Sequence, residues 1–295
     1  RIFVIINMKD IPLSEITLRK YEKPSGLEKR ELMRKVCLSL GLLQLGDGRD
    51  VIVDILMILD EATSALDTES EQLVQVATQV RTLQVEPALI EDFFTLARSE
   101  MEKQIESAPT DARHALFLAS MLESFGLTEE AFALYERAHE LSPQKQVIRH
   151  RIGAIHLNRG EYTRALEVYR DTYELDTNYD EARILYAAAA VYAGDSKLAE
   201  DLLVSEFGTD TIDNDQLLRA YFNAGQFRKV LAIWQARVDR EPANTQFRLS
   251  LAAAHLELNQ RNEAIAELER AIEIDPNFRE QGEFLINEIR AGRNP

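Results

Sequence analysis

The pattern of apolar, small and turn-forming residues repeats along most of the chain with a fixed period. Pro109 and Pro143 lie 34 residues apart, and so do Pro242 and Pro276. The same interval relates further alanines and glycines along the chain: Ala131, Ala165 and Ala199, and Gly126, Gly160 and Gly194. A period of this length, with small residues at fixed offsets, predicts a series of two-helix units.

Each marker has a structural role in such a unit. Small side chains such as Ala131 allow two antiparallel helices to cross closely, whereas large ones such as Tyr135 and Trp234 fill the gap to the next pair. Glycine after the first helix supplies a left-handed cap, and proline after the second helix ends it. One pair cannot bury its apolar face alone, so stability is expected from the stacking of neighbours.

Two further segments are predicted to cap the series. Residues 91–107 have the pattern of a second helix whose matching first helix, over residues 77–86, fits poorly. Residues 87–111 are therefore interpreted as a half-repeat or capping helix. At the other end, an amphipathic helix over residues 279–290 is predicted, followed by a short tail to residue 295, and its apolar side carries Phe284, Leu285 and Ile289.

These features resemble the tetratricopeptide repeat (TPR) family at successive positions. The resemblance implies an all-α, right-handed superhelical solenoid. Two departures stand out: the second helix of the third unit decays into residues 207–210, and Asn259 replaces the usual glycine in the fifth. The predicted units are residues 112–145, 146–179, 180–210, 211–244 and 245–278.

A narrower resemblance concerns residues 97–105, 111–113 and 286–295. They are similar to the C-terminal TPR tails of bacterial O-antigen ligase or polymerase-like membrane proteins. This implies a surface-polysaccharide context and a membrane-anchored parent, and it brings no catalytic residue. Because the chain starts at Arg1 and contains no apolar run of the roughly 20 residues that span a bilayer, we expect a soluble, cytoplasmic fragment or processed product, tethered only through such a parent.

Residues 1–86 differ in character from the repeats, and we interpret them as a separate N-terminal segment. Such a segment is expected if the chain is a mosaic or a fusion. Residues 55–71 resemble the Walker B strand and D-loop of ABC-transporter ATPases, in which Asp60 would organise Mg²⁺ and Glu61 would polarise water. No phosphate-binding Gly-x-x-x-x-Gly-Lys-Ser/Thr loop accompanies the string. We therefore predict no ATP hydrolysis, and a plain helix over residues 66–80.

Composition excludes several classes of function. The chain has 295 residues and a formal net charge of −16, which argues against a general nucleic-acid binder. Its single cysteine, Cys37, excludes an intrachain disulfide and multi-cysteine metal sites. No histidines are spaced as a metal pair on one helix, and no nucleophile elbow occurs. We predict no catalytic residue, no cofactor and no metal.

The TPR resemblance instead implies a concave groove lined by the first helices, which binds a protein or peptide. The lysine–asparagine pairing that some relatives use for a terminal carboxylate is missing, but Arg219 and His150 are candidates to receive an acidic or C-terminal group. The predicted groove residues are Arg113, Ser120, Glu123, His150, Asn158, Tyr192, Asp215, Arg219, Phe222, Asn223, Gln246 and Glu257.

The predicted function is that of a non-catalytic scaffold for protein binding. An alternative interpretation is that the groove packs on another domain of its own parent protein. Two alternatives from other classes are a nucleotide-binding remnant of an ABC ATPase and a DNA-binding regulator with a TPR sensor. The regulator alternative rests on residues 1–50, which contain ten Lys and Arg residues and seven Asp and Glu residues.

Overall fold

The computed structural model describes residues 69–81 and 87–294, and this part of the chain is all helical. It contains thirteen α-helices and no strand. The chain divides into two compact units after Pro143. Cys37, Asp60 and Glu61 lie outside the described residues, as does most of the predicted N-terminal segment.

The first unit contains a helix pair that corresponds to the first predicted repeat, with two helices before it. The long helix α2 is not isolated, because α1 packs against it and against α3. The predicted helix over residues 66–80 is confirmed from Glu69 onward. Pro87 is the first residue of α2, a position that proline favours because its missing N–H is not needed there. The helices are α1 (Glu69–Val80), α2 (Pro87–Ser107), α3 (Ala112–Ser124) and α4 (Thr128–Leu141).

The second unit contains four helix pairs and a final helix. Within each pair the two helices pack against each other, and α13 packs on α12. The helices are α5 (Gln146–Asn158), α6 (Tyr162–Tyr173), α7 (Asp180–Tyr192), α8 (Ser196–Phe207), α9 (Asp215–Asn223), α10 (Phe227–Arg240), α11 (Thr245–Glu257), α12 (Arg261–Ile274) and α13 (Arg279–Arg290), with a 3₁₀ turn at Pro276–Phe278.

The small residues of the repeat pattern lie in the core, as predicted. Close packing requires them, since no larger side chain fits where two helix backbones approach. The fully buried members are Ala131, Ala165, Ala199 and Ala264.

The five turns between the first and second helices of the pairs share one backbone design. In each turn one residue adopts the left-handed conformation, and the next residue donates its N–H to a carbonyl five positions earlier, as in Gln260 N to His255 O at 2.9 Å. The predicted glycine caps are confirmed, and Asn259 takes the same conformation. The left-handed residues are Gly126 (φ 81°), Gly160 (73°), Gly194 (84°), Gly225 (68°) and Asn259 (57°).

Replacing Asn259 with alanine is expected to lower the free energy of unfolding by about 1 kcal/mol, because a β-carbon without a polar group is disfavoured at positive φ. Asn259→Gly should be at least as stable as the natural chain. Thermal unfolding of the three proteins tests this order, with Asn262→Ala, at an exposed helical position, as the control. Equal stability of the alanine and glycine variants would contradict it.

The end of the third unit agrees with the sequence pattern. Helix α8 ends at Phe207, where the pattern decays, and Gly208 forms a left-handed cap with a φ of 70°. The following helix, α9, is short as well and has nine residues.

The predicted helix over residues 279–290 is present, with Ile289 buried and Leu285 partly buried against the core as predicted. The prediction was wrong for Phe284, which is 61% exposed. Gly282 and Ile286 complete the buried face of α13 with Ile289, at the spacing of successive helical turns.

Candidate functional site

The predicted groove residues of the first unit are engaged within the unit. Arg113 holds Asp111 through its guanidinium and its backbone N–H, and these hydrogen bonds lower the pKa of Asp111 to about 2. The hydroxyl of Tyr135 donates to Glu123 Oε2 at 2.7 Å and lies 3.2 Å from Ser120 Oγ. Ser120 and Glu123 therefore help to hold the buried Tyr135 in place.

The ring of His150 lies between two tyrosine rings. Its ring stacks near Tyr179, with 6.4 Å between centroids, and lies 6.2 Å from the ring of Tyr169. Burial lowers the pKa of His150, although the Glu181 carboxylate acts in the opposite direction. A lowered pKa disfavours the imidazolium, which is the form that attracts an anion. The role of His150 as an anion receptor stays a prediction.

Tyr192 and Asn223 are brought together across two helices. Asn223 Nδ2 donates to the hydroxyl oxygen of Tyr192 at 3.0 Å, which connects the C-terminal ends of α7 and α9. Tyr192 in turn stacks on Tyr162 of α6, with ring centroids 5.5 Å apart and an angle of 23° between the rings. Tyr162 is 40% exposed. The three residues form a polar and aromatic row across α6, α7 and α9.

The outer face of α9 extends this row. The helix buries Leu217, Ala220 and Tyr221, which leaves Arg219, Phe222 and Asn223 exposed. Phe222 is 52% exposed and makes an edge-on contact with Phe227 at 5.7 Å. We call Tyr162, Tyr192, Arg219, Phe222 and Asn223 the α9 face.

Arg219 and Asp215, both predicted groove residues, differ in their partners. Asp215 binds Arg237 at 2.6 Å, and Arg237 also holds Asp213. Arg219 is exposed, and among the described residues it forms no ion pair or hydrogen bond through its side chain. A guanidinium with five free donors next to an exposed phenylalanine is available to an incoming anionic group.

The other predicted groove residues are not brought to the α9 face by any contact in the described ranges. Asn158, Gln246 and Glu257 are exposed side chains. Sequence reasoning missed Tyr162, because it begins a second helix and the predicted groove used first helices only. The available signal was an aromatic residue directly after a glycine turn.

Residues 69–81 and 87–294 contain no cluster of three histidine, cysteine or acidic side chains that could hold a metal ion. None of the helices in the described ranges is both long enough and apolar enough to cross a membrane.

Comparisons with known proteins agree with the repeat pattern. A family model described as "Tetratricopeptide repeat" matches residues 245–278. A tetratricopeptide repeat protein from Parabacteroides merdae has a similar structure, with a TM-score of 0.54, 17% identity, and coverage of 90% of this chain and 100% of that one. PilW, a type IV pilus biogenesis factor, gives a TM-score of 0.51 at 15% identity over 75% of this chain and 100% of PilW. No curated protein sequence matches the chain.

At these identities, structural likeness concerns the fold and not the partner. The match over residues 245–278 coincides with the fifth predicted repeat and with helices α11 and α12. The described part of this chain therefore has the all-α fold of tetratricopeptide-repeat proteins, and residues 245–278 are one such repeat.

Proposed function

We propose that the chain is a non-catalytic scaffold that binds a protein or peptide through the α9 face of its second unit. The observation that carries this proposal is the exposure of Phe222 beside Arg219, a guanidinium without a partner in the described part of the chain. Aromatic residues and arginine are the side chains that most often dominate binding energy at interfaces.

The chemistry of the α9 face favours a partner with an acidic side chain or a C-terminal carboxylate. Arg219 can bind a carboxylate through two parallel hydrogen bonds. Asp215 does not compete for it, since the Asp215 carboxylate is bound to Arg237. Phe222 would then contact an apolar side chain of the same partner.

The other predicted functions receive no support from the described residues. Asp60 and Glu61 and the basic residues of the first fifty positions lie outside them, and Glu69–Val80 is helical. The surface-polysaccharide setting and a membrane-anchored parent rest on the narrower sequence resemblance alone. The proposed binding function does not depend on either.

A library of random hexapeptides with free carboxyl termini provides the test. The full chain is expected to enrich peptides that combine a carboxylate with a large apolar residue. Phe222→Ser and Arg219→Gln should each weaken binding of the enriched peptides by about tenfold or more, which corresponds to roughly 1.4 kcal/mol. Both side chains are exposed, so thermal unfolding should stay unchanged.

Phe284→Ser is the matched control, because Phe284 is even more exposed, at 61%, but lies on α13. Its peptide affinity should equal that of the natural chain. Failure to enrich any peptide, or equal loss with Phe222→Ser and Phe284→Ser, would overturn the proposed function.

A further inference from the structure

The connection between α8 and α9 buries very little apolar surface. We call its residues, 208–214, the strap. None of the strap side chains is fully buried, and its one large apolar residue, Ile212, packs against the core while only partly buried. The hydroxyl of the buried Tyr221 donates to the main-chain carbonyl of Asp210 at 2.6 Å. A segment with so little burial opens easily unless other contacts hold it.

Those other contacts are ionic. Both carboxylates of the strap bind cations of α10. Asp213 accepts a hydrogen bond from Arg237 Nε at 2.6 Å and also pairs with Arg240. Asp210 Oδ2 lies 2.5 Å from Lys229 Nζ. Three ion pairs therefore tie the strap to a single neighbouring helix.

The end of the strap supports the start of α9. Asn214 is the N-cap of this helix, and its side-chain oxygen accepts from the backbone N–H groups of Gln216 and Leu217 at 2.9 and 3.2 Å. Its main-chain carbonyl accepts from the N–H of Leu218 at 2.9 Å. If the strap leaves α10, these three bonds are lost, and a helix of nine residues has little cooperative length to keep its first turn formed.

We propose that the strap is an ionic latch, which opens as a local unit together with the first turn of α9 while the other helices of the second unit stay folded. The latch is closed when its carboxylates bind the cations of α10, and it opens when salt screens these charges. Arg219 and Phe222 lie on α9, so the latch sets the fraction of molecules in which the α9 face is ordered. This inference goes beyond the proposed function, because the latch opens and closes without a ligand.

Salt acts on the latch more than on its surroundings. The distance over which charges interact in solution falls from about 10 Å at 0.1 M salt to about 3 Å at 1 M. The side chains of Asp213 and Arg240 are 29% and 58% exposed, so ions from the solvent can reach the pair. The apolar contacts between the neighbouring helices carry no charge that salt could screen.

Hydrogen exchange of backbone amides in the full chain tests the latch. Between 0.1 M and 1 M NaCl, the amides of residues 216–218 should exchange about tenfold faster. Amides in the middle of α7 and α11 should change by less than about twofold. Asp213→Asn at 0.1 M NaCl should cause a similar increase at residues 216–218, because it removes two of the three ion pairs. Added salt should then have little further effect, since both changes act on the same contacts.

Asp201→Asn on α8 is the matched control. Asp201 pairs with Lys197, and the two side chains are 64% and 85% exposed, so exchange at residues 216–218 should stay as in the natural chain. Exchange there that does not respond to salt would overturn the latch, and the natural chain alone suffices for this measurement. Equal acceleration throughout the second unit would also overturn it, since the strap would then open only with global unfolding. Peptide enrichment is measured separately, so the latch can fail while the proposed function stands.

Discussion

Replacing Glu267 with leucine is expected to lower the free energy of unfolding by about 3 kcal/mol or more. Glu267 Oε2 lies 2.6 Å from Arg248 Nη1, and the two side chains are only 8% and 11% exposed. Without the carboxylate, the Arg248 guanidinium stays buried and uncompensated, which is among the costliest local changes in a protein. Arg248 Nε also donates to the carbonyl of Pro242 at 2.8 Å, so the side chain is held in place and cannot easily turn to solvent.

Urea unfolding followed by circular dichroism measures this effect. The double variant Arg248→Met/Glu267→Leu should recover most of the lost stability, since it removes both buried charges together. Glu269→Leu is the control: its carboxylate pairs with Arg290 at 3.3 Å on the surface, and its loss should change stability by less than about 0.5 kcal/mol. An unchanged midpoint for Glu267→Leu would contradict the stabilising role of the pair.

Arg248 also illustrates what the sequence pattern could not provide. Arg183 and Arg248 both occupy the fourth residue of a first helix, and each donates to the carbonyl six positions earlier, Thr177 at 2.7 Å and Pro242 at 2.8 Å. The glycine turns were predictable because they depend on the conformation of one residue. A buried arginine depends on a carbonyl and a carboxylate that come close only after the helices pack, so the 34-residue period alone did not identify it.

The candidate site also has one part that the sequence predicts and another that depends on how the helices pack. Arg219, Phe222 and Asn223, which the repeat register predicts as groove residues, are exposed on the first helix of their pair. The repeat register does not predict the distances between helices. These distances determine which polar side chains form hydrogen bonds within the protein. Glu123 is bound by Tyr135 of the paired helix, whereas Asn223 retains free donors and an acceptor after it binds Tyr192.

Gly153 lies at a close crossing of α5 and α6 in the second unit. A β-carbon at this position would lie 2.6 Å from Cζ and 2.7 Å from Cε2 of Tyr169. The Tyr169 ring cannot easily withdraw, because it is buried and its hydroxyl donates to the carbonyl of His150 at 3.2 Å. Gly153→Ala is therefore expected to cost about 1–2 kcal/mol, even though alanine favours a helix over glycine by roughly 1 kcal/mol.

A double-mutant cycle separates these two effects of the Gly153 substitution. In a Tyr169→Leu background the clash with the ring is absent, so Gly153→Ala should stabilise the protein through its helix propensity. The sign of the change should therefore reverse between the two backgrounds when urea midpoints are compared. A neutral or stabilising Gly153→Ala in the natural chain would mean that α5 and α6 have room to separate. The glycine would then be unnecessary for their packing.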